Sequence, residues 1–424
     1  MLYSLILNTI VVPSVDSLLG LPLSLPLVIA LAAALVAAFY IMLSIVPKAT
    51  RVDRKNRRDT ASVESGEVGR IDPAAFPTLS VIVYVDSNPE DLPTMLPMIL
   101  EQDYPAPMEV IVVNDGERSE LEGILGDLEL RYRNLYMTFT PPNSRNLSRK
   151  KLSLTIGVKA ARYDTLVITN SSVRPTSSRW LRAMAAPVAA GAEIVLGHSI
   201  LSPATEEVDG RLSRAASFDI GLTAIRYYSK AMVGIPYRAD GNNLVYRKAV
   251  FDLNRGFSTH HNFRYGDDDI FINQVARKGH RVAVQLAGDA VVRQLVYDLP
   301  YAHGFDKMRY MFTQRHVKTW SRFTAALTSL AWWTWLAASI AALVIGYPSL
   351  PVLGIVTVIS LLACIPVMVA YRRGSSALYL RRLTFTVPFL MLWYPVYNLY
   401  YRIAARKVRS KNYTWTNGCY TASK

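Results

Sequence analysis

The chain has 424 residues, of which 51% are hydrophobic, and carries a net charge of +15. It is too apolar for an ordinary soluble protein and too polar for a purely membranous one. Much of the positive charge flanks apolar stretches, where attraction to anionic lipid heads accounts for it, and no basic aromatic patch stands free of them, so no nucleic-acid partner is expected.

In chain order, Leu23 to Val46 is nearly uncharged and long enough to cross a bilayer, for which about 20 residues suffice. Its apolar core is longer than that of a signal peptide, and the strong charge follows it, so residues 1–47 are expected to form an anchor. Residues 48–76 are charged and then Asp/Pro/Ala-rich, a basic and polar linker. Residues 77–320 have the composition of an ordinary domain. Thr78 to Asp86 is an apolar, β-branched run ending in an acid, and Met108 to Val113 is a second, followed by Asn114-Asp115-Gly116. Between them Leu92, Met95, Leu96, Ile99 and Leu100 recur at helical spacing, although Pro93 and Pro97 oppose a regular helix. Strands are predicted at Leu135–Thr140, Asp164–Thr169, Ala192–Gly197, Val282–Leu286 and Ala290–Val296. Helices are predicted over Leu121–Tyr132, Ser148–Ala161, Trp180–Gly191, residues 216–233 and Lys307–Trp320. Alternating strands and helices predict a Rossmann-like, mostly parallel sheet.

Phe323–Gly346 and Leu350–Tyr371 are two further candidate spans. Leu383–Tyr401, broken by Pro388 and Pro395, reads as an interfacial or re-entrant segment, so residues 321–402 form the membrane region and 403–424 a basic tail. Lys48, Arg51, Arg54 and Lys55 follow the first span, and Arg372, Arg373, Arg381 and Arg382 follow the third. That asymmetry places the central domain in the cytoplasm. Cys364 and Cys419 have neither metal spacing nor disulfide logic.

The candidate chemistry lies at the strand ends. Asp86 and Asp115 can accept hydrogen bonds from a base or a ribose, and Tyr84 joins them as a donor-binding candidate. Lys150, in Arg149-Lys150-Lys151 at a helix start, could pair with a diphosphate, or be a solvated surface charge. Asp267, Asp268 and Asp269 are three adjacent acids. Mutual repulsion raises one pKa, which suits a general base, while a helix N-cap would explain one of them. Arg315, with His316 and Lys318, could neutralise a leaving phosphate, or belong to a basic helix at a membrane surface.

The ordered set SVIVYV, EQDYP, EVIVVNDG, SRKK, RYDTLVIT, GNNLVYRK and GDDDIFINQVA resembles the family 2 glycosyltransferases of GT-A fold, and more narrowly their membrane-anchored bacterial members. The resemblance covers about residues 78–320 and implies an inverting transferase in the bacterial inner membrane, multi-pass, with its catalytic domain facing the cytoplasm. It implies a nucleotide-sugar donor held by Asp115 and Lys150, Asp268 as the base, a glycan or lipid-linked acceptor, membrane lipids around the chain and partner membrane subunits. It also implies a divalent metal, Mg or Mn, on acids at the position of Asn170 and Ser172. Here Asn170-Ser171-Ser172 is uncharged, and hard cations want carboxylates or several oxygens. Asp86-Ser87-Asn88 likewise replaces a more usual Asn-Glu. Two readings therefore stay open: an active glycosyltransferase, and a catalytically inactive scaffold subunit that keeps the fold.

Overall fold

The computed structural model describes residues 24–65, 71–85, 89–115, 118–141, 148–205, 212–276, 279–317, 319–347 and 349–407; Asp86, Ser87, Asn88, Gly116 and Lys318 lie outside them. Four strands set the frame: β1 (Leu79–Tyr84), β2 (Met108–Asn114), β3 (Leu135–Phe139) and β4 (Thr165–Asn170). All six residues of β1 and of β4 are buried, as near-continuous apolar strands must be when both sheet faces are covered. β1 pairs in parallel with β2 on one side and β4 on the other, with Tyr84 opposite both Val113 and Asn170. The carboxyl ends of these three strands therefore lie side by side.

Further along the chain come β5 (Val173–Pro175), β6 (Ile194–Leu196), β7 (His198–Pro203), β8 (Leu244–Arg247), β9 (Val282–Val284) and β10 (Val291–Val296). The main sheet has seven strands in the order β3-β2-β1-β4-β8-β6-β9, and β5-β10-β7 form a smaller sheet. The main sheet is mostly parallel, as expected, with β8 antiparallel to both its neighbours.

Alternation along β1 sends Ile82 and Tyr84 to one face and Val81 and Val83 to the other. The second face is covered by α2 (Leu92–Leu100) and, beyond α3 (Arg118–Arg131) and α4 (Arg149–Ala160), by α5 (Trp180–Ala189). The α2 helix forms despite its prolines. Pro93 sits in the first turn, where its missing N–H would have no helical partner, and the fully buried face of Leu92, Met95, Leu96 and Ile99 outweighs the bond lost at Pro97. The first face meets α4, α6 (Arg214–Ala231) and α1 (Leu25–Glu64).

The α1 helix is one 40-residue element, so the stretch expected as a linker is helical through Glu64. Polar side chains hold it to the domain. Arg51 donates to Ser229 Oγ at 2.7 Å, Asn56 donates to the Leu286 carbonyl at 2.7 Å, and Asp59, paired with Lys55, accepts from the Leu286 N–H at 3.0 Å.

After α7 (Lys248–Leu253) and α8 (Asp269–Val275) comes α9 (Leu299–Thr313), followed by α10 (Thr319–Gly346), α11 (Leu350–Ala377) and α12 (Val387–Lys407). The helix expected over residues 307–320 is thus two helices. The chain turns at Gln314–Val317, where the N–H groups of Arg315 and His316 bond only three residues back. The segment expected to be interfacial is a continuous helix through Pro395, seated on α9 by hydrogen bonds from Lys307 to Asn398 (2.8 Å) and between His303 and Tyr397 (2.8 Å). Among the described residues, two helices, α1 and residues 322–346 of α10, are long and apolar enough to cross a membrane. Trp332, Tyr371 and Tyr394 belong to the same buried cluster as Ile82 and Phe218, so one continuous core joins the apolar helices to the sheet.

The seat of α4 on the sheet depends on Gly157. A Cβ there would lie 2.7 Å from the Ile82 side chain and 2.9 Å from that of Val113. Gly157→Ala should therefore destabilise the chain by about 1–3 kcal/mol through overpacking, despite a helix-propensity gain of about 1 kcal/mol. Thermal unfolding of the purified variant checks this, and a rise in midpoint would refute it.

Candidate active site

Three buried acids form the centre of the site. Gly266 adopts φ +102°, a left-handed conformation that a side chain would strain, and turns the chain into Asp267-Asp268-Asp269 at the start of α8. None of the three acids is more than 7% exposed. Asp268 is the N-cap of α8 and accepts the Asp269 N–H at 2.7 Å, so the capping role foreseen for one acid is real. Its other oxygen meets Arg309 at 3.4 Å and the Gly241 N–H at 3.3 Å. Asp267 pairs with Lys150 at 2.7 Å. Asp269 accepts from Thr313 Oγ1 at 2.8 Å and lies 3.7 Å from Arg238.

These partners divide the titration behaviour of the trio. Burial alone would raise Asp267, but Lys150, with Arg309 and Lys151 behind it, outweighs burial and holds the carboxyl well below the usual range. The Lys150 ammonium moves the matching way: burial, the largest influence, pulls it down, but the charge and hydrogen bond of Asp267 together with the charge of Asp268 outweigh it, and the result lies above the ordinary value. Burial and the adjacent Asp268 charge raise Asp269 to about 7, against Arg238 and Arg309. The raised pKa expected within the trio thus falls on Asp269, next to the expected base Asp268.

The strand ends carry the second half of the site. Asp115, just past β2, accepts from Arg149 Nε at 2.9 Å and from the Tyr84 hydroxyl at 3.3 Å. Burial raises its pKa and Arg149 opposes the rise. Lys150 Nζ stands 6.0 Å from the Tyr84 ring centre. Successive residues of α4 therefore bridge the two halves, Arg149 to Asp115 and Lys150 to Asp267. A third, Lys151, is buried and donates to the carbonyls of His260 (2.8 Å), Phe263 (3.0 Å) and Tyr265 (2.8 Å), fixing the loop that leads into the acids.

Asn170, at the end of β4, donates to Asn242 at 2.7 Å, and its own carbonyl accepts the Ser172 N–H at 2.9 Å. Asn242 neighbours Gly241, whose N–H reaches Asp268, so the polar chain closes between strand ends and acids. A divalent metal does not fit this strand end. The Asn170 amide is committed to the protein, Ser172 is neutral, and no group of three metal-ligating side chains occurs among the described residues.

Tyr84, Asp115, Lys150 and the three acids are therefore brought together. Asp86 lies outside the described residues, and Arg315 does not join them. It is exposed on the turn after α9, and Arg309, on α9 itself, occupies the place beside the acids. Arg174, beside the strand end that carries Asn170, donates to the Ser171 carbonyl at 2.8 Å and pairs with Asp91 at 3.4 Å. Sequence reasoning missed Arg309 and Lys151. Lys151 was visible in the basic triplet that opens α4; Arg309 looked like any other charge in a basic helix. Beside the trio a cavity of about 540 Å³ opens between Arg238, Asp240, Asn242, Asp306, Arg309 and Tyr310.

A model of glycosyl transferase family 21 matches residues 24–420. The chain belongs to that family. The sequence reading had named family 2; the match supports glycosyl transfer from a nucleotide sugar and places the chain in family 21. Among solved structures, this transferase is similar to the mannosyltransferase PcManGT from Pyrobaculum calidifontis in complex with GDP-Man and Mn2+. That match has 17% identity and a TM-score of 0.48, over 82% of this chain and 99% of that one. It is also similar to GalNAc-T7 with UDP, GalNAc and Mn2+, at 10% identity and a TM-score of 0.38 over 52% and 43% of the two chains. A third similar structure is S. aureus TarS 1–349, at 15% identity and a TM-score of 0.37 over 78% and 90%. No curated protein matches the chain.

Two outcomes follow from the buried charges. Lys150→Met strands Asp267 and should cost about 3–5 kcal/mol, most of it recovered when Asp267→Asn is added. Unfolding of the single and double variants measures this, and equal losses in both would refute the pairing. Asp269, raised to about 7, binds its proton more tightly folded than unfolded, so its contribution to stability falls as pH rises from the ordinary carboxylate range through about 7. Asp269→Asn should flatten the decline in unfolding temperature between pH 5 and pH 8, on the order of that one group's linkage.

Proposed function

We propose that this family 21 enzyme is an inverting glycosyltransferase that moves a sugar from a nucleotide-sugar donor to a membrane-associated glycan or lipid acceptor. The observation that carries the reading is the joining of the nucleotide-binding candidates to the acid trio through Arg149 and Lys150, beside an open cavity. The donor nucleoside lies at the ends of β1 and β2, against Tyr84 and Asp115. Its diphosphate draws on Lys150 and Arg309, which in the free protein neutralise Asp267 and Asp268. That exchange frees Asp268 as the Arg309 guanidinium turns to the phosphates.

The acceptor hydroxyl then enters the cavity and attacks the anomeric carbon. Its oxygen forms the new glycosidic bond, its proton passes to Asp268, and the sugar–phosphate bond breaks with its electron pair leaving on the diphosphate. A single displacement inverts the anomeric centre. Arg and Lys side chains stabilise the leaving charge, work that fixed cationic donors can do. We propose further that α1 and the apolar helices hold the domain at a membrane, with the basic flanks on the cytoplasmic side. The acceptor cavity, walled in part by Tyr379, Leu380 and Arg381 just past α11, then lies close to the lipid.

The test is release of nucleoside diphosphate across a donor panel by the full chain in detergent. Asp268→Asn should lower turnover of the folded enzyme about 10²–10⁴-fold, the usual range for a lost general base. Chelator should leave the wild-type rate unaltered, and Asn170→Asp with Ser172→Asp should introduce metal sensitivity. Donor binding without turnover under every condition would instead favour the scaffold reading, motivated by the uncharged Asn170-Ser171-Ser172.

A further inference from the structure

A second cavity, of about 320 Å³, lies between α6, α9 and the apolar helices. Lys48, Arg226, Lys230, Lys307 and Arg402 line it, and no carboxylate does. Lys307 is answered from behind by Asp219, but the others are not answered by an acid in the wall. Arg226 donates once, to the Tyr394 hydroxyl at 3.3 Å, while its Nε and one terminal nitrogen are buried with no hydrogen-bond partner. Lys230 donates to the neutral Thr324 hydroxyl at 2.8 Å and stands 5.2 Å from the centre of the Tyr237 ring. Burial, with Arg226, Lys230 and Arg51 adding repulsion, lowers Lys48 to about 8. Like charges gathered around a hollow, with guanidinium donors left over, form a site that an anion would complete.

The surroundings indicate what carries the anion. Tyr40 and Leu43 of α1, Trp332 of α10 and Tyr394 of α12 form the rest of the wall. Lys48 comes directly after the span read at Leu23–Val46, at headgroup level if α1 crosses a bilayer. Aromatic rings and basic side chains at that level suit a lipid headgroup with its chains running along the apolar helices. Thr223, Lys307 and Tyr310 line this cavity and the larger one beside the acids, so the two share a wall.

We infer that this cavity binds the phosphate headgroup of a membrane lipid, through Lys48, Arg226 and Lys230, next to the acceptor cavity. The inference rests on the membrane reading above, but needs neither donor nor turnover.

The experiment titrates the full chain in detergent micelles with dioleoyl phosphatidic acid, and separately with dioleoylglycerol and with inorganic phosphate, by native mass spectrometry. Phosphatidic acid should bind one per chain and saturably, at least about tenfold tighter than dioleoylglycerol. Lys48→Gln with Arg226→Gln should weaken it at least about tenfold, because both charge-assisted contacts to the phosphate are lost. Lys48→Arg with Arg226→Lys should retain binding, which separates charge from fold, and thermal unfolding of both pairs checks the fold directly. Equal binding of dioleoylglycerol, or no loss in the Gln pair, overturns the proposal. Displacement of the lipid by an equal concentration of inorganic phosphate overturns its lipid part and assigns the site to free phosphate. Because no nucleotide sugar is present, failed sugar transfer leaves the result standing, and failed lipid binding leaves the transferase reading standing.

Discussion

Three carboxylates buried side by side are the constraint on which the rest of the molecule depends. Ionised and unanswered, they would cost far more than a domain's net stability. The fold answers them from three directions: Lys150 from α4, Arg238 from the segment before β8, and Arg309 from α9. Each cation comes from a different part of the chain, so the acids can be buried only after the domain has closed around them. A paired burial of this kind is a poor source of stability compared with apolar packing of equal volume. Its retention is better explained by what the acids and cations do when the pairs are broken.

That balance also explains the arrangement at the strand ends. A diphosphate brings negative charge into a site that already holds buried carboxylates. On the proposed reading, with no metal at Asn170 and Ser172, the compensation comes from cations already in place. Lys150 and Arg309 are therefore held in reserve on the acids, and Arg149 on Asp115. An empty site stays neutral locally, and a filled one can redistribute the same charges without importing an ion.

Most of the sheet was legible because its strands are uniform apolar runs ended by polar residues, and β1, β2 and β4 fall within a residue or two of their predicted bounds. The short strands β5 and β7 were not legible; three residues such as Val173–Pro175 carry no period, and their pairing with β10 is a tertiary matter. Tyr84, Asp115, Lys150 and Asp267–Asp269 could be found because acids after strands and a basic helix start have a local signature. Arg309 and Arg226 could not, since what distinguishes them from surface arginines is burial, supplied by residues far away in sequence. The helical span of residues 48–64 was hidden by its charged composition, whereas its hold on the domain comes from Arg51, Asn56 and Asp59, which dock on Ser229 and Leu286, far away in sequence.

The α9 helix shows how the two halves of the molecule are joined. One of its stripes carries Asp306, Arg309 and Thr313, three to four residues apart: Asp306 meets Arg309, Arg309 meets Asp268, and Thr313 donates to Asp269. The neighbouring stripe carries His303, Lys307 and Tyr310 at the same spacing. His303 and Lys307 reach Asp219 and α12, and Lys307 and Tyr310 line both cavities. Successive residues on a helix are about 100° apart, so any roll of α9 that moved Arg309 from Asp268 would also move Lys307 against Asp219 and Asn398. A movement of the helix as a body therefore cannot adjust one set of contacts without the other. A ligand that settles the cationic hollow beneath Lys307 bears on the same rigid element that holds Arg309 to the acids, and a side chain swinging at Arg309 alone, with α9 fixed, is the motion the packing leaves free.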